Sequence, residues 1–396
     1  MKRVLPLAIA VVLIAPQASA APKPIIPTLG SIFSAPTATE GVVLSGKNTI
    51  FFQNINQLTA DIQLTALDAA RNQIWQRTID SSVDEVAMSA TVDPAGNIWL
   101  SGSAARSQVA ETATPVVGID NPDNVVLETS QALRPDMTDL AVWKVSPAGE
   151  LLATYQTTIN SVPTVTGIAV NNVGISVIGT SDSKPFLMTL SPAGVFSKII
   201  YMGTSKTELN AVARSSDGST SIFGSSAETL AGKKVAGLRD GILIKVSKAG
   251  AITSLVRSSA VKALRSWVSG DSSHLTSGPV ITGSKIESAI TKFSPTFAPT
   301  WSYRVPSNGP SLSLTANGNS YLAVSTSGPI IGISQWKPTK PSLLVLTFDS
   351  KGVMKAATAL PGLVKPIALQ YSPALGVQGI ASAENGTVSI FTLVSR

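Results

Sequence analysis

The residues able to do chemistry are few, and their types already narrow what this chain can be. No cysteine occurs in 396 residues. Disulfides, thiolate metal sites, iron–sulfur clusters and cysteine nucleophiles are therefore excluded. The one histidine, His274, excludes multi-histidine metal sites. No G-x-S-x-G elbow, H-E-x-x-H, G-x-G-x-x-G or P-loop is present. Ser181 to Lys184 matches S-x-x-K, but it falls between two predicted strands and K-T-G is absent, so it reads as a chance match. Asp120 and Asp123, in the run DNPDN, offer oxygen ligands for calcium. Without EF-hand spacing the run reads as a turn. His274 lies in a predicted hairpin turn and reads as a surface residue rather than a general base. No cofactor or metal is expected. A pair of carboxylates at a channel mouth stays open, which would make a polysaccharide-acting hydrolase or lyase the alternative function.

The elements that position these residues are strands. Charged residues make up 13% of the chain, about half the usual 25%. The polar surface must come from Ser, Thr, Asn and Gln, and 30 Gly with 25 Pro imply many turns. A turn-and-strand unit repeats. WKVSPAG ending at Gly149 recurs as MTLSPAG ending at Gly194, IKVSKAG at Gly250, TKFSPTF at Phe297 and LTFDSKG at Gly352. Leu64 to Asn72 is the first copy, and the wide gap before Gly149 signals an insertion. A second hairpin alternates with it. Its turn runs from Asp93 to Asn97, and its counterparts are Asn171–Gly174, Ser216–Gly218, Asp271–His274, Asn317–Asn319 and Ser372–Gly376. Strands around these turns alternate apolar and polar residues, which marks an all-β protein.

Each unit thus holds four strands in about 40–50 residues, the unit of a propeller blade. The fold expected is a β-propeller of seven four-stranded blades, at 37–82, 83–160, 161–205, 206–259, 260–306, 307–362 and 363–396. The seventh shows only three strands. Ile25 to Phe33 is expected to supply the fourth and close the ring, hiding the edges an open array would expose. The runs Thr91 to Gly102 and Leu140 to Gly149 resemble the hairpin and the following strand pair of bacterial β-propeller repeat (SBBP-like) proteins. That resemblance covers nearly the whole chain after the leader. It implies an architecture and no activity, with Trp75 and Trp301 at the fourth-strand place where an aromatic packs between blades. Ser216 to Ser219 resembles a sialidase Asp-box but lacks the downstream aromatic.

Met1 to Ala20 has the layout of a secretory signal: Lys2 and Arg3, a short apolar run, and a small-x-small site at Ala18 to Ala20. Residues 21–396 are then one propeller domain, secreted or held in the cell envelope, with no membrane span after leader removal and a net charge falling from +7 to +5. Scattered Lys and Arg argue against nucleic acid. The second-to-third strand connections of blades two (Ser103 to Thr138), four (Ser225 to Arg239) and six (Ser327 to Lys340) are long and must share one face. That face is the expected binding surface for a protein or a glycan, with a monomer as the working unit. Its candidate ligand-binding residues are Trp336, Lys337, Lys340, Asp120, Asp123, Lys233 and Lys234. For Trp336, folding back onto the blade is the competing reading.

Overall fold

The computed structural model describes residues 24–36, 38–56, 59–106 and 134–393. The leader expected at 1–20 lies outside them, as do Asp120 and Asp123. The described residues form 30 strands and no helix. No helix among them is long and apolar enough to cross a membrane. Seven sheets follow one another along the chain, at 41–79, 85–158, 164–201, 207–258, 263–306, 311–360 and 363–392. Each is an antiparallel meander in which successive strands pair, and the seven stand in a ring as a β-propeller. The buried strands are rich in β-branched and aliphatic residues that suit a doubly packed sheet, such as Leu140, Val142 and Trp143 in the third strand of blade two.

Closure follows the expectation in part. Ser31–Ser34 pairs antiparallel with Val388–Thr392 and is the fourth strand of blade seven. The residues before it do not belong there. Thr28–Leu29 runs parallel along the outer strand of blade six, and Ile25 bridges Ile333 in that blade's long connection. The N-terminal segment therefore straddles two blades, covering one outer edge and completing the other.

The turns repeat in structure as in sequence. In blades one to six the third-to-fourth turn opens on Asp68, Ser146, Ser191, Ser247, Ser294 or Asp349. The side-chain oxygen of each accepts the N–H four residues on, as in Val195 to Ser191 at 3.1 Å and Val353 to Asp349 at 2.9 Å. The fourth residue of each turn has positive φ: Arg71, Gly149, Gly194, Gly250, Phe297 and Gly352. The first copy is thus aligned on Arg71, one residue earlier than Asn72.

Low charge has a structural use. Hydroxyl and amide side chains of one blade bond to the backbone of the next around the ring. Ser45 donates to Gly96 O at 2.6 Å, Thr166 to Leu209 O at 2.6 Å, Asn210 to Trp267 O at 3.0 Å and Ser269 to Ser313 O at 3.1 Å. Such neutral pairs satisfy buried polar groups without burying charge.

Candidate functional site

The long connections of blades four and six lie where the repeat places them, at 227–239 and 327–341, a third falls between Ala104 and Asp139 of blade two, and the odd-numbered blades have short ones. Because every blade is a meander, these connections and the inter-blade links share one face of the ring. Only the ends of the blade-two connection are described. There Arg134 pairs with Asp84 and Asp136, and Arg106 reaches Asp139 at 3.7 Å.

The blade-four connection is built onto its blade. Leu230 is buried, and its backbone exchanges hydrogen bonds with Lys233 at 3.1 and 3.0 Å. Asp240 accepts the N–H groups of Ala236 and Gly237, each at 2.9 Å, and pairs with the buried Arg257 at 3.3 Å. Burial alone would raise the Asp240 carboxyl, but those backbone donors and Arg257 together hold it below its ordinary range. Lys233 and Lys234 are left exposed, with no ion pair among the described residues.

The blade-six connection buries its apolar side chains. Ile330, Ile333 and Trp336 join the core of that blade, and Trp336 keeps only 9% of its surface exposed. It has folded back, the second of the two readings its sequence context left open, and it anchors the connection. Part of it borders a cavity of about 300 Å³ with Pro27, Leu29 and Pro338. Lys337 and Lys340 are exposed beside it, with no ion pair among the described residues. Blade five stands between them and Lys233 and Lys234. The same sector also exposes Leu238 (62%), Val261 (78%) and Ile331 (91%). These exposed side chains lie on one face of three consecutive blades.

The described inner strands carry two acids, Glu85 and Glu208. Glu85 is fully buried and accepts the Trp143 indole N–H at 3.2 Å, and burial pushes its carboxyl up. Glu208 is paired with Arg239 at 3.1 Å. Glu85 is sealed from any substrate and Glu208 is held in an ion pair, so the two do not act as a glycosidase pair.

The opposite face, made of tight turns, holds what sequence reasoning missed. A pocket of about 710 Å³ opens between blades five and six, lined among others by Ser272, His274, Lys292, Trp301, Ser350 and Lys351. His274 is in the expected hairpin turn but is half-buried rather than freely exposed. Its ring meets Phe297 edge-on at 5.3 Å, and its Nε2 lies 3.3 Å from Ser221 Oγ. Burial holds its pKa below the ordinary value, and Lys292 adds to the shift. A sequence signal was available: His274 and Phe297 occupy turn positions that are mostly glycine in the other blades.

No family model and no curated protein sequence matches the chain. Its fold is similar to that of solved propellers. The WD40 domain of Toxoplasma gondii coronin superposes with a TM-score of 0.52 at 11% identity, covering 94% of this chain and 90% of that one. The β-propeller domain of the Trilobed protease from Pyrococcus furiosus gives 0.46 at 8% identity, covering 92% and 96%. At such identities the likeness extends to the fold. The seven-bladed propeller implied by the repeats is the architecture of this chain.

Proposed function

We propose that this protein is an exported, monomeric, non-enzymatic propeller of the bacterial β-propeller repeat kind that binds a partner through its long-loop face. The observation that carries this reading is the sector formed by blades four to six. Lys233, Lys234, Lys337 and Lys340 stand exposed, with no ion pair among the described residues, on the same face as the exposed Leu238, Val261 and Ile331. Desolvated aliphatic contacts ringed by charge suit a protein with an acidic surface. A glycan site would call for an accessible aromatic platform, and Trp336 is buried. The engaged states of Glu85 and Glu208 support binding over catalysis.

The test immobilises the full-length exported protein and exposes it in parallel to an envelope protein extract and a glycan array. The reading expects acidic proteins to be retained and released by salt, with no signal from neutral glycans. Charge reversal of Lys233, Lys234, Lys337 and Lys340 to Glu should abolish retention without altering thermal unfolding. Unchanged retention by that variant, or retention of nothing by the wild type, sinks the reading. N-terminal sequencing of the exported chain should start at Ala21.

A further inference from the structure

We infer that the pocket between blades five and six binds a small, hydroxyl-bearing organic anion, a phosphorylated or carboxylated sugar. Its volume, about 710 Å³, is that of a small-molecule site. No Asp or Glu is among its lining residues, and its charged groups are Lys292 and Lys351. Lys292 is half-buried, and burial pushes its ammonium pKa down against the opposing effect of Asp271. The acid nearest in effect, Asp271, is already engaged. It accepts Ser273 N at 2.9 Å, Ser273 Oγ at 2.5 Å, Leu275 N at 3.1 Å and Thr315 N at 2.9 Å. These neutral donors hold the Asp271 carboxylate in the turn and against blade six.

The rest of the lining is hydroxyl-rich. Ser272 and Ser350 are exposed at the pocket, and their hydroxyls have no partner among the described residues. They can meet sugar hydroxyls in either hydrogen-bonding role. His274 is neutral at pH 7 and supplies a polar wall rather than a third charge.

Backbone strain gathers here as well. The first-to-second turns of blades two and four place Gly96 and Gly218 at positive φ, where blade five has His274 at 59°. The third-to-fourth turns of blades two, three, four and six use glycine, where blade five has Phe297 at 62°. A left-handed residue with a side chain costs roughly 1–2 kcal/mol. Of the two, His274 lines the pocket, as strained residues do at many binding sites, and Phe297 meets it at 5.3 Å on the side of blade four. An anionic group would pair with Lys292 and Lys351, and the hydroxyls of Ser272 and Ser350 would take the sugar.

The experiment titrates the full chain by calorimetry with glucose 6-phosphate, glucuronate, inorganic phosphate and glucose at millimolar concentration. At least one anionic sugar should bind and neutral glucose should not. Glucose 6-phosphate alone would assign a phosphate ligand, and glucuronate alone a carboxylate. Lys292→Met should weaken binding by about tenfold or more, the scale of losing one charge-assisted hydrogen bond. Lys351→Glu, at an exposed side chain, should also abolish binding and keeps the test valid if Lys292→Met fails to fold. Binding of glucose as strong as that of the anions, binding of inorganic phosphate alone, binding unaffected by Lys351→Glu, or no binding at all would overturn the inference.

Discussion

The junctions on either side of blade five fill the same gap from opposite sides. Between blades five and six the strand brings the bulk: Trp301 lies against the turn of blade six, where Gly352 sits so close that a Cβ would be 2.6 Å from the indole. Blades one and two repeat this with Trp75 and Gly149, and the Trp75 indole also donates to Pro147 O at 3.1 Å. Between blades four and five the turn brings the bulk. Ser254 holds the strand register of Trp75 and Trp301, and the turn carries Phe297. Phe297 is buried in one cluster with Phe223 and Leu243 of blade four. What a propeller junction conserves is filled volume, not which blade supplies it. Supplying it from the turn forces a ring onto a left-handed residue, and only packing can offset that cost.

The comparison breaks most readily at Phe297. Phe297→Ala should destabilise by about 3–5 kcal/mol, the range for emptying a buried aromatic site. Phe297→Gly should be less harmful than Phe297→Ala, the reverse of the usual order, because glycine relieves the strain at φ 62°. Urea unfolding of the two variants decides it, and an alanine variant as stable as the glycine one would remove the strain from the account. Next in size, Gly352→Ala should cost about 1–3 kcal/mol through its φ of 80° and its contact with Trp301. If it unfolds like the wild type, that junction is not tightly filled. The swap Ser254→Trp in Phe297→Gly should recover part of the loss by rebuilding the other arrangement. No recovery would mean that the two junctions are not interchangeable.

The smallest effect is pH dependence on one side only. The folded pKa of His274 is below its ordinary value of 6.5, so as pH falls below 6.5 the unfolded chain takes up a proton that the folded chain resists. Stability present above pH 6.5 should therefore be lost as pH falls through that window to the folded pKa. His274→Asn, which tolerates the left-handed turn, should flatten the stability curve there. Parallel curves for wild type and variant would show that burial does not shift this group.

Much of the fold was legible, and for a local reason. The Ser or Asp that opens each third-to-fourth turn binds an N–H four residues away, so MTLSPAG and LTFDSKG report their own geometry. Six such turns with the intervening hairpins suffice to count the blades. The limits of that legibility are equally physical. Ile25 to Phe33 looked like one strand, yet Thr28–Leu29 and Ser31–Ser34 serve different blades, because edge pairing depends on which free edge is near. The long-loop face could be placed, since a meander alternates its connections. Its anchor could not: Trp336 in a polar, Pro-flanked run gives no local sign of the apolar cluster it joins.

By itself, then, the sequence determined the all-β class, seven blades, the face that carries the insertions and the absence of thiol or multi-histidine chemistry. Those follow from residue types and from contacts within a few positions. Tertiary structure alone decided that Glu85 is sealed against Trp143, that His274 and Phe297 meet, and that Lys292 and Lys351 converge on one pocket. Each of these joins residues 23 to 59 positions apart in the chain. Ring closure and side-chain packing bring them together, and no turn motif encodes that.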